Sequence, residues 1–127
     1  MRGTGTGGFA KGKAFVIDRT QADPFRDVPE GSIVVAESIT LADSARLDFK
    51  KVAGLIVEND PEGEAELVGR GTGVPAVSGI TGCTESIVTG DRVLIQHLDV
   101  LVNPDLSAVN RFERERTASD TQLSLDL

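Results

Sequence analysis

The side chains best suited to chemistry are the acids of an alternating run between residues 58 and 66. Carboxylates at this spacing could offer oxygen ligands to calcium or an acid–base pair to a hydrolase. Pro61 and the lack of EF-hand spacing argue against calcium, and no feature separates a general acid from a general base. Acids also suit the first turn of a helix, where they complement the helix dipole. We therefore predict a helix N-terminus and no metal site for the run Glu58, Asp60, Glu62, Glu64 and Glu66.

The single histidine and the single cysteine do not form a catalytic pair. His97 lies in a predicted turn beside Asp99, which could orient it, but a lone histidine in a turn is typical of a surface residue. Cys83 excludes an internal disulfide. No base is predicted near its thiol, so a cysteine nucleophile is unsupported.

Two glycine clusters resemble phosphate-binding loops in their glycine spacing. The flanking elements and residues that such loops need are not predicted beside them. Residues 3–8 match the glycine spacing of a dinucleotide site, which requires a strand before it and a helix after it. The neighbouring residues predict neither element. Residues 69–73 lack a following Gly-Lys-Ser/Thr, and Pro75 interrupts any helix there. We predict no cofactor.

Composition narrows the class of protein. The chain has 127 residues, 39% of them hydrophobic, with no Trp or Tyr, so its core must use aliphatic side chains, which favour strands. A net charge of −7 argues against nucleic acid and anionic membranes as partners. No apolar run approaches the roughly 18 residues of a membrane span. The expected location is the cytoplasm.

Short apolar runs predict the strands, and residues 1–8 and 19–31 are expected to be irregular. Strands are predicted over residues 9–18, 32–36, 52–57, 74–77, 92–96 and 100–102, with a further short element over 86–88 and a turn over 89–91.

Capping signals predict the helices. Thr40 with Asp43 resembles a capping box, and Asp60 with Pro61 resembles an N-cap and first helical position. Helices are predicted over residues 41–48, with Leu41, Ala45 and Leu47 or Phe49 inward, over residues 61–70, and over residues 106–116. Residues 119–127 are expected to form a loose tail. These elements favour a mixed α/β fold, with a domain over residues 1–105 and a polar helix and tail over 106–127.

Several segments, read in order, resemble the mobile swivelling domain of phosphoenolpyruvate-utilising enzymes, in particular that of enzyme I of the bacterial sugar phosphotransferase system. The resemblance covers about residues 8–104 and implies a swivelling β/β/α fold. It is carried by residues 8–14, 28–36, 41–47, 51–57, 73–79, 89–93 and 102–104.

The resemblance implies a phosphoryl-accepting histidine, and this chain has Glu64 at the matching position. The match is counted back from Gly73, with Ala65, Leu67, Val68 and Arg70 agreeing with the family's helix. Counted forward from Gly54, the loop is one residue shorter. A phosphohistidine needs a neutral imidazole nitrogen, and neighbouring acids would repel an incoming phosphoryl dianion.

The favoured hypothesis is a non-catalytic regulatory or protein-interaction module that lacks the phosphohistidine and has no autonomous activity. Its partner would be a larger enzyme or a regulatory protein. One alternative is a small swivelling subunit that closes over the active site of a larger phosphotransferase or hydro-lyase. A further alternative is a piece of a larger phosphotransfer enzyme. The oligomeric state stays open. The candidate interaction residues are Asp60, Glu62, Glu64, Glu66 and Arg70.

Overall fold

The computed structural model describes residues 1–125, and side-chain exposure is described for residues 1–118. Over residues 1–125 the chain forms seven strands and four helices. The strands are β1 (Thr4–Gly5), β2 (Phe9–Val16), β3 (Ser32–Ala36), β4 (Val52–Val57), β5 (Ala76–Ser78), β6 (Arg92–Gln96) and β7 (Asp99–Val102). The helices are α1 (Leu41–Ser44), α2 (Glu64–Thr72), α3 (Cys83–Ser86) and α4 (Leu106–Leu125).

All seven strands belong to one mixed sheet with the order β1-β5-β4-β3-β2-β6-β7. The four strands from β2 to β5 run parallel to their neighbours, whereas β1, β6 and β7 pair antiparallel. Residues 9–13 of β2 pair with β6 and residues 14–16 pair with β3. Because β2 divides its length between two partners, the two halves of the sheet can turn to face each other. The predicted mixed α/β class is confirmed.

Two apolar cores separate three layers. Alternate side chains of β3, such as Ile33 and Val35, pack with Val93 and Ile95 of β6 between the two halves of the sheet. The intervening Val34 faces the second core, between β3–β5 and the helices. Burying each such side chain contributes about 1.5–3 kcal/mol. The layers are sheet, sheet and helix, which is the β/β/α arrangement that the resemblance implied.

The glycine-rich N-terminal segment contributes to the sheet at both edges, although residues 1–8 were expected to be irregular. Thr4 and Gly5 pair with β5, whereas Arg2 forms a β-bridge with Asp99 of β7. The amide of Val100 donates to the Met1 carbonyl at 2.7 Å. The sequence pattern did not indicate this strand because glycine is depleted in strands. Glycine is nevertheless needed at residue 3, since a Cβ there would lie 2.0 Å from the Ser78 carbonyl oxygen.

Helix α1 begins at the predicted residue but ends earlier than predicted. The Thr40 hydroxyl accepts from the Asp43 amide at 3.0 Å, and the Asp43 carboxylate accepts from the Thr40 amide at 3.0 Å. The helix ends at Ser44, four residues before Asp48. Leu47 is buried as expected, but Leu41 is 50% exposed and Ala45 is also exposed. A helix of one turn is too short for helical periodicity to decide which side chains face inward.

Smaller differences have local causes. Strand β5 begins at Ala76 instead of residue 74, because Pro75 has no amide to donate to a ladder. The short element expected over 86–88 is instead helix α3, which ends at Ser86. Strand β2 ends at Val16, two residues before its predicted end. The predicted turn over residues 89–91 and the β6–β7 hairpin are confirmed.

Helix α4 extends to Leu125, well beyond the predicted end at Arg116, so the expected loose tail is helical as far as residue 125. Residues 126 and 127 lie outside the described residues. Phe112 of α4 is fully buried, with its ring centroid 5.8 Å from that of Phe9 on β2. The division of the chain at residue 105 stays a prediction.

Candidate functional site: the acidic loop before helix α2

Asp60 caps α2 from outside the helix. The helix begins at Glu64, because Gly63 adopts a left-handed conformation with φ of 69° just before it. The two carboxylate oxygens of Asp60 accept from the amides of Ala65 at 2.9 Å and Glu66 at 3.1 Å. The prediction that Asp60 is the N-cap and Pro61 the first helical residue was therefore wrong in register. The capping role itself is present, and it fixes the loop to the helix.

Glu64 joins the two central helices. Its Oε2 atom accepts from the Leu41 amide at 2.6 Å, at the N-terminus of α1. That amide has no partner within its own helix, and the positive end of the helix dipole favours an anion there. The Glu64 carboxylate therefore has a structural contact that links α2 to α1.

Glu66 and Arg70 form an ion pair along α2, with 2.8 Å between Nη2 of Arg70 and Oε1 of Glu66. Their side chains are 70% (Arg70) and 37% (Glu66) exposed, so the pair contributes about 0.3–0.5 kcal/mol, as exposed helical pairs do. Glu62 is exposed and makes no side-chain hydrogen bond within the described part of the chain. Glu62 is thus the acid of the loop with the greatest freedom to meet another molecule.

Glu58 connects the loop to α3. Its Oε1 atom accepts from the Thr84 hydroxyl at 3.1 Å and from the Thr84 amide at 3.3 Å. The neighbouring Cys83 is fully buried. Burial first, and the Glu58 charge second, raise the pKa of the Cys83 thiol to about 12. The thiol is therefore protonated at neutral pH, and the structure gives no support to a cysteine nucleophile.

We use the name acidic loop for residues 58–63 together with Glu64 and Glu66 at the start of α2. This loop borders an open cleft at the carboxyl ends of β4 and β5. Residues 58–61 form one wall, and Thr4, Ser78 and Gly79 form the other. Over residues 1–125, no three His, Cys, Asp or Glu side chains come together in a group able to hold a metal ion. Most of the carboxylates bind backbone amides or a basic side chain instead. The loop therefore presents an acidic surface that is held in place by hydrogen bonds to α1 and α2.

His97 is not among the described residues that line this cleft. It occupies the turn after β6, with φ of 57°, and its ring meets the Phe9 ring edge-on at 4.8 Å. The turn contacts the N-terminal segment, because the Gly3 amide donates to the Leu98 carbonyl at 3.0 Å and the His97 amide donates to the Gly8 carbonyl at 2.7 Å. Asp99 does not orient the imidazole in the expected way, since its carboxylate contacts Arg2 at 3.4 Å.

The sequence analysis did not identify two leucines beside Glu64 as surface residues. Leu41, whose amide binds Glu64, is 50% exposed, and Leu67 is 57% exposed. Leu67 is three residues after Glu64 and so shares its face of α2. The spacing of Glu64 and Leu67 was visible in the sequence. The position of Leu41 was not, because it depends on how α1 packs beside α2.

The sequence and the fold match one family of proteins. The model of the "PEP-utilising enzyme, mobile domain" family matches residues 28–99. The chain belongs to this family. The phosphoenolpyruvate-protein phosphotransferase of Haloferax volcanii is 32% identical over 99 residues, which are 76% of this chain and 17% of that protein. The protein of the same name from Geobacillus stearothermophilus is 26% identical over 98 residues, again 17% of its length.

Solved structures show the same fold. An NMR structure of enzyme I superposes with a TM-score of 0.68 at 24% identity, covering 76% of this chain and 40% of that one. An NMR structure of a UPF0107 protein gives a TM-score of 0.60 at 18% identity, covering 80% of this chain and 97% of the other. This mobile domain thus corresponds to about a sixth of the length of its curated relatives, which each share 17% of their length with it. No helix over residues 1–125 is long and apolar enough to cross a membrane.

Proposed function

We propose that this mobile domain lacks phosphohistidine chemistry and acts as a protein-interaction module, regulatory or docking in role. The observation that carries the proposal is Glu64. It stands where the family resemblance expects the phosphoryl-accepting histidine, and its carboxylate is held 2.6 Å from the Leu41 amide. The chain's one histidine, His97, lies in the turn between β6 and β7, where its ring packs against that of Phe9.

The loop is poorly suited to carry a phosphoryl group on Glu64 itself. An acyl phosphate would require Oε2 to leave the Leu41 amide, which would remove a charge-assisted hydrogen bond. The nearby carboxylates of Glu62 and Glu66 would repel the incoming dianion. These costs support the loss of phosphotransfer at this position.

The surface around Glu64 favours a protein partner. Leu41 and Leu67 expose apolar side chains, and Glu62 and Glu66 add negative charge beside them. A partner surface that offers an apolar contact surrounded by Lys and Arg would complement both features. A larger enzyme or a regulatory protein of the cytoplasm fits this description, whereas nucleic acid does not, because the chain has a net charge of −7.

A phosphorylation assay tests the loss of chemistry. The domain is incubated with radiolabelled phosphoenolpyruvate and the complete phosphoenolpyruvate-protein phosphotransferase of Haloferax volcanii. We expect no label on this chain, while the enzyme labels itself and so serves as the positive control. An acid-labile phosphoryl group on this chain would contradict the proposal.

A pull-down from native lysate, followed by mass spectrometry, tests the interaction. We expect a partner whose binding weakens at high salt and falls when Leu67 is changed to Asp, or when Glu62, Glu64 and Glu66 are changed together to Gln. Val88→Asp is the matched control, since Val88 is 63% exposed and lies outside the acidic loop. Binding that is the same in all variants would reject the loop as the docking surface.

A small swivelling subunit of a larger phosphotransferase or hydro-lyase is the second candidate. It is favoured by the UPF0107 structure, in which this fold accounts for 97% of the matched chain, so the fold occurs with almost nothing added. The two candidates differ in two measurable properties. A subunit would copurify with its large partner in fixed stoichiometry, and the partner's activity would fall when this domain is removed.

A further inference from the structure

A cationic cleft lies on the face of the sheet that α4 partly covers. Lys13 of β2 and Arg92 of β6 are directly opposite each other in the antiparallel register. Lys11 is two residues along β2 and therefore points to the same face. With Pro104 and Val109 at the start of α4, these side chains line a cleft of about 320 Å³.

The charges of this cleft are not balanced within the protein. Lys11 pairs with Glu113 of α4 at 2.7 Å. Among the side chains of residues 1–118, neither Lys13 nor Arg92 has an acidic partner within 4.0 Å. Like charges directly opposite each other on paired strands destabilise a sheet. The chain is acidic overall, yet it holds two uncompensated cations next to each other at this place.

The cleft has an apolar side as well as a charged one. Pro104 and Val109 are half-buried, and Leu94, which pairs with Lys11 in the ladder, is only 2% exposed beneath α4. The neighbouring acids are engaged elsewhere: Asp105, next to Pro104, accepts from the Ala108 amide at 2.8 Å, and Asp91, next to Arg92, accepts from the Val88 amide at 2.9 Å. A pocket that joins a few convergent charges to an apolar wall is typical of small-molecule sites.

We propose that this cleft binds a small organic anion. A carboxylate or phosphate group would lie between Lys13 and Arg92, where it would relieve their mutual repulsion, and a short apolar chain would contact Pro104 and Val109. The volume is at the lower limit of ligand pockets, so the ligand is small. The site does not involve the acidic loop and does not depend on the function proposed above.

The test is an NMR titration of the full chain labelled with ¹⁵N. Butyrate and monobutyl phosphate are the probes, inorganic phosphate lacks the apolar chain, and butylammonium reverses the charge. We expect saturable shifts of the Gly12, Leu94 and Val109 amides with both organic anions. Inorganic phosphate should bind about tenfold more weakly, and butylammonium should cause no saturable shift.

Variants separate this site from general surface charge. Lys13→Gln and Arg92→Gln should each weaken butyrate binding by about tenfold, as expected for the loss of one charged hydrogen bond. Lys51→Gln, a change at an exposed lysine outside the cleft, should leave it unchanged. Neither cleft variant should lower the melting temperature, because each removes a like-charge contact, so lost binding is not explained by unfolding.

Three results would overturn the proposal. The first is the absence of saturable shifts with both organic anions, and the second is binding that Lys51→Gln weakens as much as Lys13→Gln does. The third is a set of shifts at the same amides that depends on protein concentration without any probe. That result would assign the cleft to a second copy of this chain.

Discussion

Asp60 and Glu64 hold backbone amides that helices leave without partners. Asp60 serves α2 through Ala65 and Glu66, and Glu64 serves α1 through Leu41. At the scale of single residues, these hydrogen bonds attach the loop to both helices. It also limits the acids that are free to act on another molecule.

The Asp60 cap can be measured directly. Asp60→Ala removes both accepted bonds at the start of α2, so we expect the free energy of unfolding to fall by about 0.5–2 kcal/mol. Urea denaturation of the wild type and the variant gives this difference. Glu62→Ala is the control, since an exposed residue without such a bond should change stability by less than about 0.5 kcal/mol. Equal effects of the two changes would remove the capping role.

Cys83 predicts a pH dependence in the alkaline range. The thiol has an ordinary pKa of 9.0, and burial raises it to about 12 in the folded protein. Between these values the unfolded chain loses a proton that the folded chain keeps, so stability should fall as the pH rises from 9 towards 12. At pH 8, Ellman's reagent should label Cys83 only as fast as the protein unfolds. Rapid stoichiometric labelling of the native protein would show that the thiol is accessible.

At the scale of elements, the longer strands were predictable, whereas β1 and the lengths of the helices were not. Residues 32–36 and 52–57 are continuous apolar runs and match β3 and β4. The capping box at Thr40 and Asp43 correctly placed the start of α1. The ends of α1 and α2 depend on tertiary packing and on backbone conformation at Gly63 and Gly73, which local sequence does not express.

The contact between α1 and α2 was also beyond the sequence. Glu64 and Leu41 are separated by 23 residues, and nothing in either segment indicates the other. The predicted helix is present, but it runs from Glu64 to Thr72 instead of from Pro61 to about Arg70. Which acids of the loop are engaged, and which are free, followed only from the packing of the two helices.

Two glycines of α2 give a matched test of that packing. A Cβ on Gly69 would lie 2.8 Å from the Ala76 Cβ, whereas a Cβ on Gly71 would meet nothing within 4 Å. Gly71→Ala should therefore stabilise the protein by about 0.5–1 kcal/mol through helix propensity. Gly69→Ala should destabilise it by about 1–3 kcal/mol through overpacking. Thermal and urea unfolding measure both, and a stabilising Gly69→Ala would contradict the close approach of α2 to β5.

At the scale of the whole molecule, the N-terminal segment links the two outer strands. It pairs with β5 through Thr4 and Gly5 and with β7 through Met1 and Arg2, and its Gly3 amide donates to the Leu98 carbonyl in the turn before β7. In this way it covers backbone groups that would otherwise form exposed edges. Exposed edges of this kind invite pairing with another chain.

Removal of residues 1–6 tests the role of this segment. The loss of its backbone hydrogen bonds should lower the free energy of unfolding by roughly 2–5 kcal/mol, and the uncovered edges should cause self-association that increases with concentration. Urea unfolding and sedimentation velocity measure the two effects. Gly5→Ala should act in the same direction, since its φ is +127° and the new Cβ would lie 2.5 Å from the Ala76 carbonyl oxygen. A truncated chain that stays monomeric and fully stable would refute this role.

The division of β2 between two partners has a consequence for how the protein is made. β2 is finished at Val16, its partner β3 follows at Ser32, but β6 begins only at Arg92. At a translation rate of about 5–20 residues per second, the half of β2 that pairs with β6 waits roughly 3–12 s longer for its partner than the half that pairs with β3. During that time the nascent chain can assemble β3, β4 and β5 with the helices. The aliphatic face that β6 later covers stays open to water until the ribosome has made most of the domain.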